Sequence, residues 1–97
     1  MKFPYDKYHS SAYWTTLIQM ALYNRVKQYL VESNITYKEF AEKSGVSEEC
    51  MIQVMNGEFD EELTKLVKIA LACNLIPEIN LKPMTTVKEV EQTYLKN

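Results

Sequence analysis

The chain has 97 residues, 46% of them apolar and 25% charged, with two glycines and three prolines. This excludes most multidomain enzymes, a loop-rich or collagen-like chain and a disordered one, and leaves one domain with a thin core that dimerisation would help. The net charge of −2 excludes the strongly basic footprint of a non-specific nucleic-acid binder, but not a sequence-specific one, for which only the contacting surface must be positive.

Position resolves the charge further. Residues 1–35 carry Lys2, Lys7, Arg25 and Lys27 against Asp6 and Glu32, a net of +2. Residues 36–62 carry Lys38 and Lys43 against Glu39, Glu42, Glu48, Glu49, Glu58, Asp60, Glu61 and Glu62, a net of −6. Residues 63–97 return to +2, with Lys65, Lys68, Lys82, Lys88 and Lys96 against Glu78, Glu89 and Glu91. An acidic block lies between two mildly basic arms.

In chain order, residues 1–11 read as an irregular arm whose Phe3, Pro4, Tyr5 and Tyr8 pack on the body. Its charges stand where a signal peptide needs an apolar core, and no apolar run reaches membrane-spanning length, so a cytoplasmic protein is expected. Ser10 and Ser11 suit the N-cap of a long amphipathic helix from Ala12 to about Val31. Its apolar residues recur at spacings of three and four: Trp14, Leu17, Ile18, Ala21, Leu22, Val26, Tyr29 and Leu30. Ser33-Asn34 stops it.

Thr36-Tyr37-Lys38-Glu39 fits a capping box, and a short helix follows with Phe40 and Ala41 inward. Gly45 supplies the positive φ that ends it. Ser47 caps a third helix through Met55, closed by Asn56-Gly57. Asp60 is placed to cap a fourth, whose Leu63, Leu66, Val67, Ala70, Leu71 and Cys73 form an apolar stripe up to Asn74. Ile79 to Lys82 alternate apolar and polar, the pattern of a short extended segment near 78–82 or an edge strand. Thr86-Val87-Lys88-Glu89 is a second capping-box match, opening a last helix with Val87, Val90 and Tyr94. The fold class is all-α with five helices: an arm, a core over residues 12–76, and a C-terminal extension over 77–97 that suits dimerisation.

Chemistry finds little to use. Cys50, Cys73 and His9, the single histidine, have no partners at metal-ligand spacing, so the cysteines read as reduced core residues and no cofactor is expected. His9 beside Ser10 and Ser11 lacks an orienting acid and an oxyanion hole, so the chain does not read as an enzyme. The Tyr8, Tyr13 and Trp14 cluster lacks the interleaved cations of a single-strand stacking platform and reads as core or dimer contact.

The functional constellation is Thr36 to Gly57, TYKEFAEKSGVSEECMIQVMNG, two short helices joined through Gly45 with Val46, Met51 and Val54 beneath. Phe40-Ala41-Glu42-Lys43, Gly45-Val46-Ser47, Val54-Met55-Asn56-Gly57 and the following Leu66 to Ala72 helix resemble the phage repressor and Cro type (lambda-repressor-like) of helix-turn-helix DNA-binding domain, over about residues 20–76. The resemblance implies a sequence-specific transcriptional regulator, a repressor or an antitoxin, acting as a homodimer on a double-stranded operator. It implies base reading by Ser47, Glu48, Glu49, Ile52 and Gln53, since Gln can pair with adenine, Glu with cytosine N4, and Ile can meet a thymine methyl. It implies phosphate contacts near Thr36, Tyr37, Lys38, Lys43 and Asn56, helped by backbone N–H groups at the helix N-termini. Tyr37 stands where the family often has a phosphate-gripping Gln, and Glu58 where a basic residue commonly follows Asn-Gly. These departures sustain an alternative: a helix-turn-helix scaffold that binds a protein, such as a toxin, without DNA.

Overall fold

The computed structural model describes residues 7–58 and 62–96. Five α-helices follow one another: α1 (Ser11–Ser33), α2 (Tyr37–Ser44), α3 (Glu48–Met55), α4 (Leu63–Ala72) and α5 (Val87–Leu95). Short 3-10 turns at Lys7–His9 and Met84–Thr86 precede α1 and α5. No strand forms among the described residues, so the segment before Met84 is an irregular connection and the edge-strand option is not realised. No helix is long and apolar enough to cross a membrane among the described residues.

The spine is α1. Ser10 opens it by accepting the Tyr13 N–H on its hydroxyl at 3.2 Å, which satisfies one of the donors a helix start leaves orphaned. Asn34 closes it in the left-handed region at φ 55°, and the next N–H, of Ile35, reaches back to the Leu30 carbonyl. α4 ends the same way: Asn74 has φ 63° and the Leu75 N–H returns to the Ala70 carbonyl. In both, the apolar residue after the Asn joins the core, as in the hydrophobic closure of a helix C-terminus. With 23 residues, α1 is about 34 Å long, and the molecule measures 51 × 21 × 20 Å.

The C-terminal half of α1 carries the main core. Val26 meets Phe40 and Ala41 from α2, Val46 from the turn, Cys50, Met51 and Val54 from α3, and Ile69, Ala72 and Cys73 from α4. Each large side chain sealed here contributes about 1.5–3 kcal/mol. Neither Cys50 nor Cys73 is in a disulfide, and burial pushes the Cys73 thiol above its ordinary value.

Three sequence expectations change. The buried stripe of α4 is Ile69, Ala72 and Cys73, while Leu63 and Leu71 are exposed. In α1, Ile18 also lies largely outside the core. The second capping box does not form: Thr86 sits at φ −103°, ψ 17°, and its hydroxyl donates to the Pro83 carbonyl at 2.8 Å instead of capping α5. The Met84–Thr86 turn sets that backbone outside the extended region an N-cap needs. The expected Phe3, Pro4 and Tyr5 arm and the Asp60 cap lie outside the described residues; α4 starts after Glu62 with no side-chain cap.

Candidate nucleic-acid interface

The α2–turn–α3 unit forms as its residues dictate. The Thr36 hydroxyl accepts the Glu39 N–H at 3.1 Å, and the Glu39 carboxylate accepts the Thr36 N–H at 2.8 Å. Gly45 ends α2 at φ 79°, its N–H on the Ala41 carbonyl. That angle favours glycine, since a Cβ there costs about 1–2 kcal/mol. Ser47 then caps α3, its hydroxyl accepting the Cys50 N–H at 3.0 Å.

The α3 pattern separates two faces. Cys50, Met51 and Val54 are buried and anchor the helix. Ser47, Glu48, Glu49, Ile52 and Gln53 are all exposed, with Asn56 continuing the face at the helix end. Positions i, i+1, i+4 and i+5 share one side of a helix, so Glu48, Glu49, Ile52 and Gln53 stand together, with Ser47 at the N-cap before them. Glu48 and Glu49 occupy the first turn, where the positive end of the helix dipole favours carboxylates.

The phosphate candidates divide. Tyr37 and Lys38 are exposed in the first turn of α2, and their backbone N–H groups remain as donors there. Thr36 has already given its N–H to Glu39. Lys43 turns back onto α1: its ammonium donates to the Tyr29 hydroxyl and lies 4.5 Å from that ring's centroid. The same hydrogen bond holds the Tyr29 hydroxyl below its ordinary pKa. Asn56 caps the other end of α3, beside a recess of about 270 Å³ shared with Met20, Tyr23, Met55 and Gly57. Tyr37 with Lys38, and Asn56, therefore sit at separate elements, with Lys43 engaged elsewhere.

A second polar cluster, at the far end of α1, has no counterpart in the sequence reading. Glu91 of α5 is 7% exposed. It accepts from the Tyr8 hydroxyl at 3.1 Å and from the Tyr13 hydroxyl, with the Lys7 ammonium at 3.3 Å. The Tyr13 hydrogen bond, with those of Lys7 and Tyr8, holds the Glu91 carboxyl below its ordinary value against the opposing effect of burial. Glu91 in turn raises both Lys7 and Tyr13. Trp14 donates its indole N–H to the Tyr8 carbonyl at 2.9 Å and meets Tyr13 and Tyr94 edge to face, so the aromatic cluster is a packing element. It fastens α5 and the Lys7–His9 turn to α1. No family model, curated protein or solved structure matches the chain.

Proposed function

We propose that the chain is a sequence-specific DNA-binding transcriptional regulator of the cytoplasm, of repressor or antitoxin type, acting as a homodimer. One observation carries this reading: Glu48, Glu49, Ile52 and Gln53, after Ser47 at the N-cap, share the exposed face of a helix anchored from behind by Cys50, Met51 and Val54. That is what insertion of a reading helix into a major groove requires. Gln53 is the adenine-reading residue and Ile52 the thymine-methyl contact. With Lys43 held by Tyr29 and Thr36 by Glu39, one subunit offers few phosphate contacts, so two subunits on paired half-sites are needed for useful affinity.

The test is a titration against labelled DNA from upstream of its own gene at several salt concentrations. A preferred site should appear, with a salt slope reporting on the order of four phosphates per subunit. Binding no better than to random DNA at low salt would sink the regulator reading. Gln53→Ala should relax preference at one base pair, at a cost of about 1–3 kcal/mol. Replacing Glu48 and Glu49 by Gln should raise affinity for random DNA too; unchanged binding would mean that these carboxylates do not face phosphates.

The second reading is a scaffold that binds a protein partner, such as a toxin, through the same face. It is favoured by the exposed carboxylates of Glu39, Glu42, Glu48, Glu49 and Glu58 on and beside α2 and α3, which outnumber the cations Lys38 and Lys43 there. Failure of the DNA titration together with capture of the neighbouring gene's product would select it.

A further inference from the structure

Two cations, Lys38 and Lys43, stand on the acidic α2–turn–α3 unit. Lys43 lies in the last turn of α2, just before the Gly45 turn that leads into the reading helix. A lysine on a helix surface ordinarily pairs with a carboxylate four positions earlier, which here is Glu39. That carboxylate is already committed, accepting the Thr36 N–H at 2.8 Å in the capping box. Lys43 turns instead to α1, donating to the Tyr29 hydroxyl with its ammonium 4.5 Å from the ring centroid.

The acceptor is fixed and the donor is not. The half-buried Tyr29 ring packs on Phe40 at 5.7 Å and 60°, and Phe40 is sealed in the main core. The Ser33 side chain is the second hydrogen-bond partner of the Tyr29 hydroxyl. Arg25 and Glu32 border the recess beside the ring and cancel in charge, and the Cys73 thiol there is pushed up by burial and stays neutral. Lys43 is therefore the charge that governs the phenol. It is itself exposed on a flexible four-carbon stem, so its ammonium can leave without disturbing the core.

We infer that Tyr29 is a positioning residue that limits DNA affinity: its hydroxyl and ring draw the Lys43 ammonium onto α1 and away from phosphates. A hydrogen bond from a charged donor together with a cation–π contact outweighs one solvent-screened phosphate contact. Each subunit thus binds DNA with one sequence-independent contact fewer than its residues allow. The inference rests on the regulator reading, and its test separates the two failures.

The native chain, Tyr29→Phe, Lys43→Gln and the double variant are titrated against random-sequence duplex DNA at several salt concentrations. Tyr29→Phe keeps the ring and its contact with Phe40 and removes the hydroxyl. It should raise affinity about threefold and steepen the salt slope by about one. Tyr29→Leu, which removes the cation–π contact as well, should do no less. Lys43→Gln should cost less than about twofold, the residue of a screened charge, and should erase the gain of Tyr29→Phe. A merely structural role of Tyr29 would not make that gain depend on Lys43.

A second readout contains no DNA. In the chain with isotope-labelled tyrosine, the ring resonance missing from Tyr29→Phe reports Tyr29. Its phenol should ionise below the ordinary value in the native chain and higher in Lys43→Gln, because the Lys43 hydrogen bond is the main cause of the lowering. Three results would overturn the inference and leave the regulator reading standing: Tyr29→Phe binding DNA as the native chain does, Lys43→Gln alone losing a full phosphate contact, or a Tyr29 titration indifferent to Lys43→Gln. Failure of both the native chain and Tyr29→Phe to bind any DNA at low salt would overturn both.

Discussion

Around the C-terminal half of α1, Val26, Phe40, Met51, Val54 and Ile69 are sealed from solvent by apolar side chains alone. Around its N-terminal half, α5 is held through a carboxylate gripped by two phenols and an ammonium. The first kind of attachment is non-directional and indifferent to pH, and depends on volume filled. The second is directional, depends on each partner, and follows the protonation of one group. The two ends of one helix should therefore fail under different insults.

The largest expected effect is at the apolar end. Phe40→Ala should cost about 3–5 kcal/mol, a large part of the 5–15 kcal/mol typical of a whole domain. Urea unfolding followed by far-UV circular dichroism measures it, and a loss below about 1 kcal/mol would mean that this core does not hold the body. Glu91→Gln comes next and should act at the other end. Trp14 emission should shift and α5 become sensitive to protease, while the unfolding of α2 to α4 changes little.

The pH dependence has a definite sign. The folded Glu91 carboxyl titrates below its ordinary value of 4.5. Its contribution is therefore complete above that value and is lost as pH falls through the lower folded one. The native chain should show a Trp14 transition below pH 4.5 that Glu91→Gln lacks; an identical transition in both would place the responsible group elsewhere. Smallest is Gly45→Ala. An added Cβ meets no atom within 4 Å, so only the strain of φ 79° remains, about 1–2 kcal/mol. It should lower the unfolding midpoint and leave Trp14 emission as it was.

Sequence reading succeeded at three local signals in the α2–turn–α3 unit. The Thr36–Glu39 capping box, the Gly45 turn and the Ser47 cap each involve residues within a few positions of one another, and each formed. α4 shows the limit of periodicity: Leu63–Ala72 reads LTKLVKIALA, apolar on nearly every side, so spacing alone cannot select the Ile69 face. Thr86 matched a capping motif, but its hydroxyl found a nearer acceptor in the turn behind it. Glu91 was illegible for another reason. Its phenol partners lie 83 and 78 positions away, and no window along the chain contains both carboxylate and phenol. On the interface, spacing located the exposed face of α3, whereas the engagement of Lys43 by Tyr29 of α1 required the tertiary structure.

The unbroken run of α1 acts as a ruler. It contains neither proline nor glycine, the usual causes of a sharp kink, so Trp14 and Val26 are kept about 18 Å apart along its axis. The distance from the Glu91 cluster to the apolar core is thereby a property of α1 itself. Removing one helical turn between the two ends would shorten the rod by about 5.4 Å and rotate its far end. The spacing between the two attachments can then be retuned by editing α1 alone, without altering a residue of α2 to α5.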